Sequence, residues 1–351
     1  LVRKYNPRLT IALSVTTESG YTTALKMNIA DNVFFHPLDC LPFTLLALKR
    51  INPDLHVVTD TGFWPGLIDL LHRKKTPIIL FNGRISEKSA RRYLIAGSLF
   101  KDTFQKFHHL GMQNNNGEKA ALTLGVDRGH IDVMGDPKYD AQQPLTDEEK
   151  GQLRKIFKLE IDTPVWIAGS THAGEEEIIL DAHQQLAADH PNLVLILAPR
   201  RIERVEEVAT LLKKRNISFT LRSSLKQVET VILLDTMGEL AKVYSLGQVA
   251  FIGKSLVKPG GGHSLIEPLS YGLPVLHGPF IENIGHVADK AHELALATTV
   301  LNSRDIKEKV YNFLKNKSLR QELAENALSF TTEQKGASEK MAEIITKTLV
   351  I

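Results

Sequence analysis

The sequence predicts an α/β protein made of two successive wound parallel sheets, and three observations carry that expectation. Short runs rich in Val, Ile and Leu alternate with amphipathic stretches of helical length from one end to the other. The alternation breaks once, over 141–163, and then restarts with a similar pattern. Finally, 351 residues are more than one compact core fills comfortably, so two domains are expected.

Strand candidates in the first half are 9–15, 33–35, 55–58, 77–81 and 131–133, and helical periodicity covers 44–50, 66–74 and 87–95. The strands end in polar or glycine-bearing sequence, Thr16-Thr17-Glu18-Ser19-Gly20 and Asn82-Gly83-Arg84-Ile85-Ser86 among it, where a parallel sheet places its ligand-binding loops. Segment 107–117, with His108, His109 and three consecutive asparagines, has no clear period and reads as a loop. Gln142-Gln143-Pro144, a charged helical stretch over 146–158 and Asp162-Thr163-Pro164 mark the linker. Strands follow at 165–168, 193–198, 218–221, 231–234, 249–252 and 274–276, and the tail over 303–350 reads as two or three helices. The expected organisation is a first domain over 1–145, a linker over 146–162, a second domain over 163–325 and a C-terminal helix over 326–351.

Composition narrows the function classes. With 43 Lys+Arg against 40 Asp+Glu, the net charge of +3 gives no reason to expect a nucleic-acid partner. The single cysteine, Cys40, excludes an internal disulfide and a Cys-based zinc site, and the histidines show no zinc spacing, so no metal is expected. No apolar run reaches the roughly 18 residues that a membrane span needs, and residues 1–5 lack the apolar stretch of a signal peptide.

Four loops of the second half could carry chemistry. Gly169-Ser170-Thr171-His172-Ala173-Gly174 delivers the chain into an acidic helix start, whose free N–H groups and two hydroxyls suit a phosphate or carboxylate; ordinary helix capping explains it equally. Pro199-Arg200-Arg201-Ile202-Glu203-Arg204 places guanidinium groups just past a strand end, where they could fork onto phosphate oxygens or simply be solvated. In Asp235-Thr236-Met237-Gly238-Glu239-Leu240, Thr236 and Glu239 have the spacing of a capping box, which leaves Gly238 in the first turn unexplained. The most specific stretch is 253–268, where Gly260-Gly261-Gly262-His263 opens into a helix bearing Glu267-Pro268, with Gly272-Leu273-Pro274-Val275-Leu276-His277-Gly278-Pro279 after it. A carboxylate at Glu267, one turn into that helix, can take both hydroxyls of a ribose while the glycine backbone meets phosphate. His263 suits either contact with a sugar or capping of its helix.

These motifs, in this order and with Gly278-Pro279 and Asn283 after them, resemble the family of 3-deoxy-D-manno-octulosonic acid (Kdo) transferases. The resemblance implies a GT-B fold of two facing Rossmann-like domains, with the C-terminal helix packing back on the first. It implies inverting, metal-independent transfer of Kdo from CMP-Kdo to a lipid A precursor in lipopolysaccharide biosynthesis. CMP-Kdo is then a donor substrate and no cofactor is expected. Donor-binding residues carried over are Ser170, Thr171, Arg200, Met237, Gly238, Glu239, Gly261, Gly262, His263, Glu267 and Asn283, with Arg200 also stabilising the departing phosphate. On the acceptor side the candidates are Thr17, Asn82, Arg84, Ser86 and Lys138. The implied location is peripheral, at the cytoplasmic face of the bacterial inner membrane.

The first half departs from the family pattern. The family's Glu-Thr-Glu-Leu-Trp-Pro-Asn stands here as Asp60-Thr61-Gly62-Phe63-Trp64-Pro65-Gly66, keeping one carboxylate. Its Asn-Ala-Arg-Leu-Ser stands as Asn82-Gly83-Arg84-Ile85-Ser86, and its Gly-Asn-Leu-Lys-Phe-Asp as Gly135-Asp136-Pro137-Lys138-Tyr139-Asp140. The family's Gly-Glu motif, whose glutamate the resemblance gives as the general base, has no equivalent in 1–15, and the expectation is that the membrane-anchoring segment is not part of this sequence either. Asp60 is the acidic residue left for that role, and Trp64 is expected to pack beneath the acceptor loop. If a first strand and helix are absent, an exposed apolar edge is expected. The competing readings are another nucleotide-sugar enzyme of the same architecture, a UDP-sugar transferase or epimerase, and a non-catalytic nucleotide-sugar binding homologue or fragment.

Overall fold

The computed structural model describes residues 1–60, 62–95 and 98–349, so Thr61 and Val350, which belong to stretches read above, lie outside the described residues. Two compact units divide the chain, Leu1–Asp140 with Gln334–Ile351, and Ala141–Glu333.

The first unit runs α1 (Val2–Tyr5), β1 (Ala12–Val15), α2 (Glu18–Met27), β2 (Asn32–Phe35), α3 (Leu41–Ile51), β3 (His56–Thr59), α4 (Pro65–Arg73), β4 (Ile78–Gly83), α5 (Glu87–Ile95), α6 (Ser98–Phe104), β5 (His109–Met112), α7 (Asn115–Thr123), β6 (Ile131–Val133) and α8 (Lys138–Ala141). Strands β3, β4, β5 and β6 form one parallel sheet in chain order, while β1 and β2 pair separately, also in parallel. Side chains alternate across β4, so Leu80 joins Leu67, Ile68, Leu71 and Leu110 on one face. On the other face Ile79 meets Met134, Ala337 and Met341, the last two on the chain's final helix. Asp140 holds the start of that helix by accepting from the Gly336 N–H at 2.6 Å and the Ser338 N–H at 2.7 Å.

Two expectations are corrected here. Segment 107–117 is not a loop: it contains β5, with Leu110 and Met112 fully buried, and the start of α7, where the Asn114 side chain accepts from the Gly117 N–H at 3.0 Å. The strand is four residues long with no β-branched residue, and asparagine and glycine are poor helix formers, so neither period was visible. Likewise 16–20 is mostly helix: Thr17 caps α2 by accepting from the Gly20 N–H at 3.1 Å. Around β1 and β2 much apolar surface stays in solvent, including Met27 at 61%, Leu38 at 72% and Leu41 at 62% exposure.

The second unit opens with α9 (Asp147–Ile156), then β7 (Val165–Thr171), α10 (Glu175–Asp189), β8 (Val194–Pro199), α11 (Val205–Lys214), β9 (Phe219–Leu221), β10 (Val231–Leu233), α12 (Leu240–Val243), β11 (Val249–Ile252), α13 (Ile266–Leu269), β12 (Val275–His277), α14 (Gly285–Glu293), β13 (Ala297–Thr299), α15 (Ser303–Lys315) and α16 (Lys317–Glu333); α17 (Ala337–Leu349) is the helix already placed in the first unit. Seven parallel strands stand in the order β13-β12-β11-β7-β8-β10-β9, with β7 and β11 buried on both faces as their unbroken apolar runs require. β13, three residues long, is a strand the pattern did not show. The stretch 146–162 holds α9, capped reciprocally by Thr146 and Glu149, and belongs to this unit. Phe157 is fully buried under the Arg222 guanidinium, 4.7 Å from the ring centroid, and Arg154 donates to the Thr163 carbonyl at 3.1 Å.

Candidate functional site

In the second unit the chain winds from β7 through β8 and β10 to one side, then returns to place β11 against the other edge of β7. That reversal leaves a crevice at the carboxyl ends of β7 and β11, the usual ligand position in open parallel sheets. Three of the four loops singled out in the sequence meet there, those at 169–174, 199–204 and 260–268. Ser170 takes a left-handed backbone (φ 56°) at a register shift between Gly169 and Thr171. The His172 ring stacks on His263 with centroids 5.2 Å apart, bringing the β7 loop to the glycine loop. Gly262 N–H donates to the Lys254 carbonyl at 2.7 Å, and His263 N–H to the Gly253 carbonyl at 3.2 Å.

The glycines at 260–262 are required by close packing and by dihedral angle. A Cβ on Gly260 would stand 2.1 Å from Phe280 Cβ, and Gly261 and Gly262 have φ of 124° and 75°. Asn283 locks this loop from the other side, donating its N–H to the Gly261 carbonyl at 2.9 Å. Between the two segments lies a concavity of about 540 Å³, lined by Lys258, Gly261, Phe280 and Asn283 among others.

Arg200 follows β8, its N–H donating to the Thr171 carbonyl at 3.0 Å while its guanidinium is exposed and unpaired among the described residues. Arg204 is different: it forks onto the buried Glu176 at 2.6 and 3.3 Å and also reaches Glu207, so of the guanidinium groups in that loop it is committed to the protein. Burial pushes the Glu176 carboxyl above its usual range, with Arg204 opposing.

Around 235–240 the capping box is not formed. The Thr236 hydroxyl donates to the Glu239 carboxylate at 2.5 Å, Arg222 pairs with the same carboxylate at 2.9 Å, and α12 starts only at Leu240. Gly238 thus stands before the helix, with φ 82° and open space where a Cβ would be, and Met237 beside it is 83% exposed. Glu267 sits in the first turn of the four-residue α13 rather than one turn in. It lies near two tyrosines: burial first and the Glu267 charge second push Tyr244 and Tyr271 above the usual phenol range. Glu175 opens the acidic helix start that follows the 169–174 loop, and its carboxylate is fully buried among backbone N–H groups of the β7 and β11 loops.

In the first unit Asp60 follows β3 with a left-handed backbone (φ 59°) and is exposed. Its carboxylate accepts from Asn82 Nδ2 at 2.6 Å, and Asn82 Oδ1 accepts from Gln113 Nε2 at 3.2 Å. Gln113 thereby fixes which way the Asn82 amide faces; it lay in the segment read as a loop and had no sequence signal. Ser86 caps α5 by accepting from the Ser89 N–H at 3.1 Å, and Arg84 beside it is exposed. On α5, Lys88, Arg91 and Arg92 line a second concavity of about 450 Å³. Lys138 is exposed, its N–H held by Asp136 at 2.9 Å, whereas Thr17 belongs to the separate β1–β2 pair. Trp64 stacks on His36 at 4.8 Å and packs on the core. Among the described residues there is no group of three or more His, Cys, Asp or Glu arranged to hold a metal, and no helix is long and apolar enough to cross a membrane.

Residues 1–141 match the family described as 3-deoxy-D-manno-octulosonic-acid transferase (kdotransferase). A 3-deoxy-D-manno-octulosonic acid transferase of Haemophilus influenzae is 35% identical over 350 residues, covering 97% of this chain and 80% of that protein. A bifunctional glycosyltransferase/methyltransferase of Fusobacterium nucleatum is 35% identical over 300 residues, 82% of this chain but 46% of that one. A solved structure of UDP-GlcNAc 2-epimerase from Neisseria meningitidis superposes with a TM-score of 0.63 at 14% identity, covering 99% of this chain and 93% of that one. At that identity the likeness speaks for the fold, the GT-B class with two Rossmann-like domains.

Proposed function

The chain belongs to the 3-deoxy-D-manno-octulosonic acid transferase family, and on that premise we propose that it transfers Kdo from CMP-Kdo to a lipid A precursor in lipopolysaccharide assembly. The observation that carries the donor half is the convergence, at the switch point between β7 and β11, of the Ser170 loop, the glycine loop and Arg200, whose guanidinium is exposed. The acceptor hydroxyl oxygen forms the new bond to the anomeric carbon of Kdo from the side opposite CMP, which inverts the centre. The bond from that carbon to the phosphate oxygen breaks, and CMP leaves with the electron pair. Arg200 stabilises the charge that develops on phosphate; the Gly261 and Gly262 N–H groups already donate to the Phe280 and Lys254 carbonyls and the His172 N–H to Glu175, so they hold the loops rather than the phosphate. Ser170, Met237, Gly238, Glu239, His263 and Asn283 shape the donor pocket and Glu267 takes the ribose hydroxyls, whereas Thr171, expected to contact the donor, is fully buried and presents no surface to a ligand. Metal-independent transfer is what the family resemblance implies, and in this reading the Arg200 guanidinium is the source of positive charge at the phosphate.

The first unit handles the acceptor in this reading. Asp60, oriented by Asn82, takes the proton from the acceptor hydroxyl. The basic concavity on α5, together with Arg84, Ser86 and Lys138, suits the phosphate groups of an anionic lipid. Attachment at the cytoplasmic face of a membrane is supported by exposed Leu41 and Phe43 on α3, whose last turn carries Lys49 and Arg50.

The test is incubation with CMP-Kdo and a lipid A precursor, following free CMP and the mass of the lipid. One CMP should appear for each Kdo gained by the lipid. CMP released at the same rate without lipid, with no gain in lipid mass, would contradict the transferase reading.

A further inference from the structure

We propose that Glu175 is the positioning residue of the donor site, a role that rests on the CMP-sugar reading given above. Glu175 begins α10, where an acidic residue ordinarily faces solvent and complements the helix dipole. Here the side chain turns inward and is fully buried. A buried carboxylate is unfavourable unless its lone pairs are filled, and this one has four donors. Oε2 accepts from the His172 N–H at 2.9 Å and the Lys254 N–H at 2.8 Å; Oε1 accepts from the N–H groups of Ser255 and Leu256, both at 2.9 Å. One carboxylate therefore ties the loop after β7 to the loop after β11, the two walls of the crevice.

The tie continues into the parts proposed to meet the donor. Ser255 passes it to a third loop: its hydroxyl donates to the Ile252 carbonyl at 2.5 Å and accepts from the Gly278 N–H at 2.8 Å. The Ser255 carbonyl accepts from the Phe280 N–H at 2.9 Å, in the segment that packs against Gly260. On the other side the Lys254 carbonyl holds the Gly262 N–H at 2.7 Å. The glycine loop thus hangs from a residue that Glu175 itself fixes. Helix capping alone would not use donors 79 to 81 positions away.

An amide at this position keeps the shape but turns an N–H donor toward two backbone N–H groups, so Glu175→Gln should release one side of the tie. Titration of the purified chain with CMP, by calorimetry, separates positioning from mere folding. Positioning predicts a CMP Kd at least tenfold weaker with the number of sites per folded chain unchanged. Ser255→Ala, which cuts the same network elsewhere and leaves the carboxylate satisfied, should weaken CMP at least threefold and stands in if the first variant does not fold. Variants that bind CMP as the parent does, whether or not fewer molecules are competent, overturn the role while leaving the donor reading intact. A parent chain that does not bind CMP overturns both.

Discussion

Asn283 and Gly261 are mutually exclusive with any larger residue at 261: a Cβ there would lie 2.2 Å from Asn283 Nδ2, and the Asn283 N–H already donates to the Gly261 carbonyl at 2.9 Å. The glycine also holds φ 124°, which costs other residues about 1–3 kcal/mol. Gly261→Ala should therefore displace the loop and weaken CMP at least tenfold in calorimetric titration. Adding Asn283→Ala removes the clash but not the dihedral strain, so the double variant should recover only part of the affinity. Full affinity in Gly261→Ala would detach this loop from the donor.

Asp60 and Asn82 give a separate handle on the first unit. Asp60→Asn removes the proposed base, and general-base loss typically costs about 10²–10⁴ in rate. The transfer rate at saturating donor should fall by that order while CMP affinity stays the same. Asn82→Ala, which leaves Asp60 in place without its 2.6 Å partner, should have a smaller effect. Rates unchanged in Asp60→Asn would remove it from the mechanism.

How far the sequence could be read follows from what each residue does locally. Runs at 165–168 and 249–252 identified β7 and β11 because strands buried on both faces must be apolar throughout. The glycine loop stood out because Gly260-Gly261-Gly262-His263 followed by Glu267-Pro268 is a distinctive spacing, whereas Asn283 was named only through the family resemblance and the Arg200 loop read equally as solvated surface. β5 escaped because His109, Gly111 and Met112 carry no strand propensity, its pairing being dictated by β4 and β6. Arg204 and Glu175 show the other limit: both stand in motifs that look like ligand chemistry, yet each is spent on partners distant in sequence, Glu176 in one case and the 254–256 backbone in the other.

Arg204 and Glu176 form a buried ion pair, with only 18% and 1% of the side chains exposed. Removing one member strands the other, so Arg204→Ala should lower unfolding free energy by about 3–5 kcal/mol in urea titration. Replacing both with Met and Leu of similar bulk should restore much of that loss. A single variant as stable as the parent would mean that Glu176 finds water or another cation.

His183 makes stability depend on pH. Its Nδ1 accepts from Trp166 Nε1–H at 3.2 Å and its Nε2–H donates to the Thr230 carbonyl at 2.9 Å, an arrangement only the neutral ring satisfies. Burial lowers its pKa to about 4, and the same cause lowers His56 in the first unit to about 4. Below the ordinary value near 6.5 the unfolded chain takes up protons that the folded chain refuses. Stability is thus full above about pH 6.5 and is lost as pH falls toward 4, by roughly 1.4 kcal/mol per pH unit for each histidine. Urea midpoints should drop between pH 7 and pH 5, and a flat profile over that range would mean the rings are hydrated.

The most direct test of the account is the nucleotide itself, with CMP and UDP titrated in parallel into the parent chain and into Arg200→Ala. The account predicts that CMP binds and UDP binds far more weakly. It also predicts that loss of this guanidinium, exposed and without a partner among the described residues, weakens CMP at least tenfold without altering thermal stability. Preference for UDP, or CMP binding indifferent to Arg200, would contradict a CMP-Kdo donor site at the switch point of the second unit.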